Sequence, residues 1–240
     1  MRGLGTIINV LAIIIGGSIG VFIKNGLKQR FQDILKQGCG IATIFIGISG
    51  ALPGLLYFPY AGGIETNNIL LLVFSLVIGG FVGELSNIEL RMEQMGEKLK
   101  SRFSTDGQDS KFVEGFVTVS LITCVGAMAI VGSLQDGLTG DFTMLTTKSI
   151  LDFIIALVFA STLGIGVMFS AIPLGIYQGG ITLFAFLIAG HMSEAMIAGM
   201  SSIGSVLIFC VGVNLVFGKI IKVGNLLPAI LIPVIYNLFF

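Results

Sequence analysis

Within its apolar stretches the chain carries hydroxyls and carboxamides but few charges, so the chemistry on offer there is polar contact. Thr43, Ser75, Thr123, Ser161, Thr162 and Thr182 fall near the middle of such stretches. A helical serine or threonine satisfies itself on a carbonyl of the preceding turn. Several on facing helices would instead line a narrow polar path. Asn9, Gln178, Asn214 and Asn225 ask for more. A carboxamide cannot be fully satisfied within its own helix, so each is expected to bond a neighbouring helix. Ionisable groups inside a span are functional hypotheses. Glu84 is placed at the cytoplasmic end of a third span and Asp152 about one turn inside the outer end of a fifth. Both would reach the headgroup region, so both are expected to be interfacial. With no ionisable residue near the middle of any span, the sequence argues against a carboxylate proton relay.

Gly47-Ile48-Ser49-Gly50 has the form of the Gly-x-Ser-Gly nucleophile motif of rhomboid-type intramembrane proteases, and the single histidine, His191, follows it. A serine–histidine pair needs the imidazole within hydrogen-bond reach of the hydroxyl. Helix rise puts Ser49 about 12 Å below the outer end of its span, whereas His191 lies at the outer end of another. The depths disagree, so no catalytic residue is assigned, and His191 with Glu194 is expected as an exposed outer-loop pair. Cys39, Cys124 and Cys210 are scattered through apolar sequence and make neither a disulfide framework nor, with one histidine, a zinc site. No metal and no cofactor is expected. No Gly-x-x-x-x-Gly-Lys-Ser/Thr loop is present, which disfavours ATP-driven transport by this chain alone. Prolines mark breaks: Pro53, Pro173, and Pro228 with Pro233. Freed backbone carbonyls are tolerated in lipid only where protein buries them or a cavity is lined by them. Transporters build substrate sites from such broken helices, and Asn225, Pro228 and Pro233 are the preferred candidate.

These residues need elements to hold them. Of 240 residues 55% are hydrophobic and 11% charged, with a mean hydropathy of +1.01. Soluble domains carry about 25% charged residues, so this chain cannot cover a globular surface and is read as an integral membrane protein. Its net charge of zero gives nucleic acid no attraction. At roughly 20 residues per crossing, spans are expected at 4–23, 38–57, 67–86, 113–134, 149–170, 174–190, 198–217 and 225–240. The last is short and holds two prolines, so it is either a crossing or a broken, re-entrant segment. Eleven of the 13 Lys and Arg fall in alternate connections, and only Arg2 and Lys148 fall on the other side. The positive-inside rule puts the first group in the cytoplasm, and both termini outside if there are eight spans. Ile88, Met92, Met95, Leu99 and Phe103, and on a smaller scale Leu27, Phe31 and Leu35, recur at helical steps in cytoplasmic connections. Short interfacial helices are expected there, the larger within the connection 88–111.

Ile15-Gly16-Gly17-Ser18-Ile19-Gly20 matches Ile78-Gly79-Gly80-Phe81-Val82-Gly83 at an offset of 63. A weaker third copy replaces the glycine pair by Ala160-Ser161 and keeps Gly164, and Gly212 stands where a fourth would. The expected fold is therefore an all-α polytopic bundle of seven or eight spans, one membrane domain built from parallel-oriented hairpin repeats at about 4–57, 67–134, 149–190 and 198–240. Gly16 with Gly20, Gly79 with Gly83, and Ala160 with Gly164 are expected as ridges that admit a neighbour at backbone distance, with Gly17 and Gly80 beside them.

Gly5-Thr6-x-x-Asn9, Gly16-Gly17-x-x-Gly20 and the C-terminal Lys219-x-x-Lys222-Val223-Gly224-Asn225-Leu226-Leu227-Pro228-Ala229 together resemble the bacterial inner-membrane family known as domain of unknown function 554, of YdfK/YqgA-like proteins. The resemblance covers the whole chain, and the C-terminal block is its most specific part. It implies a polytopic bacterial membrane protein, described as a transporter candidate, with no catalytic residue to carry over. The residues themselves point to a transporter or channel for a small solute or ion, neutral or a small cation, in the cytoplasmic membrane. A non-transporting scaffold or assembly protein is the alternative reading. The lipid bilayer is the expected partner, and a second copy of the chain stands as a further candidate.

Overall fold

In a computed structural model, residues 2–24, 28–57, 63, 65–103, 111–124, 127–185, 187 and 193–239 are described. The protein is all-α and polytopic. Its helices are α1 (Leu4–Lys24), α2 (Gln29–Leu55), α3 (Ile69–Ser86), α4 (Ile88–Phe103), α5 (Phe112–Cys124), α6 (Ala127–Thr139), α7 (Thr143–Leu163), α8 (Ala171–Leu183), α9 (Glu194–Phe217), α10 (Val223–Leu226) and α11 (Ile232–Phe239). A two-stranded antiparallel ribbon, β1 (Leu56–Tyr57) and β2 (Glu65–Thr66), follows α2, and 3₁₀ turns cover Ile165–Ser170 and Leu227–Leu231. Six helical segments among the described residues are long and apolar enough to cross a membrane, and α5 with α6, bent by 62°, makes up to seven. The C-terminal run Val223–Asn237 is shorter than these and broken, because Pro228 and Pro233 cannot donate into a regular helix.

Contacts divide the chain into two units: residues 1–39, 91–124 and 128–191, and residues 40–90, 125–127 and 192–240. In the first, α1 turns its small and polar residues inward and its large apolar ones outward. Gly5, Asn9, Ile13, Gly16 and Gly20 are buried, whereas Ile7, Leu11, Ile15 and Phe22 are exposed. This is the pattern of a helix in lipid, where close packing rather than water drives association. α1 runs parallel to α7: Gly5 lies against Leu145, Gly16 against the Phe153 carbonyl and Gly20 against the Leu157 carbonyl. A Cβ on Gly17 would instead meet the Met168 side chain. Ala160 is fully buried against Gly20. Gly164 ends α7 at φ 86°, a backbone state that favours glycine. α7 therefore spans 143–163, not 149–170 as the apolar run suggests, and the next apolar segment starts at Ile165. Pro173 falls in the first turn of α8, where its missing N–H breaks no helical bond.

α2 is divided between the units. Its first turns absorb the expected interfacial stretch at Phe31 and Leu35 into one helix of 27 residues, which also runs through Pro53. The expected break at Pro53 is absent, and Ser202 donates to the Ala51 carbonyl at 3.2 Å beside it. α4 forms over 88–103, where Gly96 abuts Val113 and Phe116 and Met95 is exposed.

In the second unit α9 packs antiparallel on the later part of α2, with Gly47 beside Phe209 and Gly54 beside Ser202. Ser193 caps α9 by accepting from the Met196 amide at 3.2 Å. α3 packs antiparallel on Val223–Leu231: Gly79 lies on the Ala229 backbone and Gly83 on that of Asn225, while Gly80 faces the Leu226 side chain.

Candidate functional site: a buried polar cluster of the first unit

α1 begins on a buried acid. The Asp136 side chain of α6 is fully buried and accepts from the Gly3 amide at 2.9 Å and the Gly5 amide at 3.0 Å. Two of the amides that a helix start leaves unbonded thus meet a carboxylate, at the end where the helix dipole favours one. Arg2 beside them donates to the Leu138 carbonyl at 3.2 Å.

Farther along α1, Asn9 is fully buried. Its Nδ2 donates to Asp152 Oδ2 at 2.9 Å and to Gln178 Oε1 at 3.3 Å, joining α1 to α7 and α8. Lys148, one turn before Asp152 on α7, forms an ion pair with the same oxygen. All four residues are at least nine-tenths buried. Asp152 stands close to the middle of α7 (Thr143–Leu163). Along its helix it lies deeper than the single turn from the outer end expected from the apolar run. The cause is the helix boundary: Thr143–Ser149 are helical, which carries Asp152 well inside. Lys148, counted among the outer basic residues, is buried with it.

The cluster is not saturated. Thr6 Oγ1, Asn9 Oδ1, Ser133 Oγ, Gln178 Nε2 and Thr182 Oγ1 are buried with no hydrogen-bond partner among the described residues. Buried polar groups are paired in the great majority of cases, so five in one unit stand out. Two of the five residues, Thr6 and Thr182, line a pocket of about 460 Å³ together with Arg2, Gly3, Ile7, Gly137, Gly179 and Leu183. Thr6 is three residues before Asn9, and Thr182 four after Gln178. Each threonine therefore lies on the same helix face as a carboxamide.

The six hydroxyls singled out from the sequence divide. Thr43 and Ser75 belong to the second unit, and Thr123, Ser161, Thr162 and Thr182 to the first. Thr123, Ser161 and Thr162 are buried but donate to the carbonyls of Val119, Val158 and Phe159 on their own helices, at 2.8, 2.7 and 3.0 Å. Ser75 and Thr182 have no hydrogen-bond partner among the described residues. Ser49 is exposed and donates to the Ile46 carbonyl at 3.0 Å, while His191 lies outside the described residues.

The expected broken-helix site is a clasp. Asn225 Oδ1 accepts from the Glu89 amide at 2.8 Å, and its Nδ2 donates to Glu84 Oε2 at 2.6 Å. Lys222 pairs with Glu84 at 2.6 Å, Lys219 pairs with Glu89 at 2.7 Å, and the Gly224 amide donates to Glu89 at 2.9 Å. Asn214 likewise bonds the backbone of Ile220 and Ile221. The C-terminal block is thereby tied to the α3–α4 corner, where Asn87 adopts φ 50°. Pro228 is the second residue of the 3₁₀ turn after it, and Pro233 packs on Gly199. The Asn225 amide is thus engaged once at each end. Thr6 entered the sequence reading only within the Gly5-Thr6-x-x-Asn9 motif, and Asp136 did not enter it as a site residue.

The family model described as "Protein of unknown function (DUF554)" matches residues 4–238. An uncharacterized membrane protein of Bacillus subtilis (strain 168), YdfK, is 37% identical over 229 residues, covering 95% of this chain and 93% of its own. An uncharacterized protein of Escherichia coli (strain K12), YqgA, is 29% identical over 232 residues, covering 95% and 94%. No solved structure matches.

Proposed function

We propose that this chain, which belongs to the DUF554 family of proteins of unknown function, carries a small polar solute across the bacterial cytoplasmic membrane. That it is a membrane protein follows from its apolar helices and the named relative. The observation that carries transport is the group of buried polar atoms of the first unit without a partner among the described residues, two of them on threonines that line a pocket. A bundle needing only to stand in lipid gains nothing from five such atoms, since each unsatisfied group lowers stability. The positive-inside bias supports cytoplasmic basic connections. The paired glycine runs of α1 and α3, each lying against backbone, support an origin from duplicated hairpins.

The test is flux in vesicles. Purified protein should pass a small polar solute faster than empty vesicles, and Gln178→Leu, which removes the unpaired Nε2, should abolish the difference while the protein stays folded. Flux no greater than empty vesicles across a broad solute panel would favour the scaffold reading. That reading draws support from the hydroxyls of Thr123, Ser161 and Thr162, each closed on its own helix.

A further inference from the structure

At the end of the second unit where α2 stops and α3 starts, a pocket of about 130 Å³ is lined by residues of α2, α3, α9 and α11. Its polar side chains are bonded in one sense. Asn68 donates its Nδ2 to the Gly54 carbonyl at 3.3 Å. Asn237 donates its Nδ2 to the Pro233 carbonyl at 2.9 Å. The Ser202 hydroxyl donates to the Ala51 carbonyl at 3.2 Å. Each bond spends a donor on the protein's own backbone and keeps the side-chain oxygen as an acceptor. The carboxamide oxygens of Asn68 and Asn237 receive no donor among the described residues.

The charge near the pocket has one sign. α2 and α11 end there while α3 and α9 begin there. Their dipoles largely cancel, so side chains decide. Glu194 opens α9 beside Ala195 of the pocket wall, and Glu65 lies three residues before Asn68. The unit holds two Lys and Arg residues, Lys219 and Lys222. Both are paired with acids, Glu89 and Glu84, at the far end of α3, which helix rise puts about 24 Å from Asn68. Among the described residues this end of the unit is therefore acidic.

Size and wall narrow the guest further. An apolar cavity of about 150 Å³ takes up benzene, so this one suits a guest of about five or six non-hydrogen atoms. Leu55, Leu71, Leu72 and Ile203 supply apolar wall, and Tyr236 supplies an aromatic ring, which attracts a cation. A bare metal ion would leave most of the volume to water and gain nothing from the leucines. We infer that this pocket binds a small alkylammonium ion, with its N–H groups on the carboxamide oxygens of Asn68 and Asn237 and its chain along the leucines. This goes beyond the transport reading and does not rest on it, because the polar atoms behind that reading belong to the first unit.

The test is binding to the full-length protein in detergent, read by saturation-transfer NMR with three probes of similar shape: butylammonium, butan-1-ol and butyrate. Butylammonium should bind and butyrate should not. Butan-1-ol should bind about tenfold more weakly or worse, because its single neutral donor replaces charge-assisted hydrogen bonds. Butan-1-ol or butyrate binding as tightly as butylammonium overturns the inference, as does no binding of butylammonium. Two substitutions then locate the guest. Ala198→Leu, at an exposed α9 position on the pocket wall, should fill the space and abolish binding. Asn237→Leu removes an acceptor whose amide is bonded within its own helix, and should weaken binding about tenfold while the protein melts like the parent. Butylammonium binding unchanged by both puts the guest elsewhere and overturns the inference. Should Ala198→Leu fail to fold, Asn237→Leu and the three probes still decide. Selective butylammonium binding, lost in these variants, by a protein that passes no solute upholds the site and removes transport alone.

Discussion

A single buried carboxylate starts α1. Replacing Asp136 by Ala strips the Gly3 and Gly5 amides of their acceptor at once. The loss should be about 1–2 kcal/mol, as for a helix cap, read as a lower melting temperature in detergent. Asp136→Asn keeps an acceptor oxygen and should fall between. Asp141, before α7, behaves differently because it is exposed. Its carboxyl is held below the usual carboxylate range by hydrogen bonds to the Thr143 hydroxyl and amide. A lowered folded pKa stabilises above the unfolded value, and that contribution fades as pH falls through the folded one. Asp141→Asn should therefore leave a shallower acid limb below about pH 4 in melting temperature against pH. Both roles depend on which residues start a helix, and that is where the sequence was least legible. Asn9 and Gln178 declared themselves, because a lone carboxamide among isoleucines must find a partner. Asp152 did not: its depth depends on a helix start at Thr143 that the apolar run from Ser149 conceals.

The helices pair through glycine, and positions differ by what they face. Gly20 and Gly83 lie on carbonyl groups of the neighbouring helix, which cannot move aside, whereas Gly17 and Gly80 face the side chains of Met168 and Leu226. Gly20→Leu and Gly83→Leu should thus lose folded protein, at a cost above about 1–3 kcal/mol. Gly80→Ala should be milder. Gly180→Ala, with nothing within 4 Å, should melt within about 0.5 kcal/mol of the parent. Unchanged thermal unfolding for both leucine variants would remove close packing as the basis of these contacts. The doubled glycine runs made this pairing legible, because small residues four apart have few other uses in lipid. The partner strand of backbone was not legible. That α3 meets a 3₁₀ turn, with Asn225 pinned by Glu84 and Glu89, depends on a corner between two helices that no local pattern announces.

For the whole molecule, the distribution of lysine and arginine predicts that a cysteine introduced in 104–110 is shielded from an impermeant thiol reagent in intact cells; labelling from outside would reverse the orientation. The same scale raises the question of how α7 enters the bilayer during synthesis. A lone lysine or aspartate at the centre of an inserting helix costs roughly 2.5–3.5 kcal/mol. Lys148 and Asp152, one turn apart on one face, can leave the ribosome as a neutral unit before any other helix is beside them. α1 has by then been made, and its Asn9 amide waits in the membrane for Asp152. The pair is in this sense a boarding arrangement as well as part of a site. Lys148→Ala should lower the fraction of chains in which α7 spans, read by glycosylation tags placed on either flank. Lys148→Ala combined with Asp152→Ala should restore insertion even though the polar core is gone.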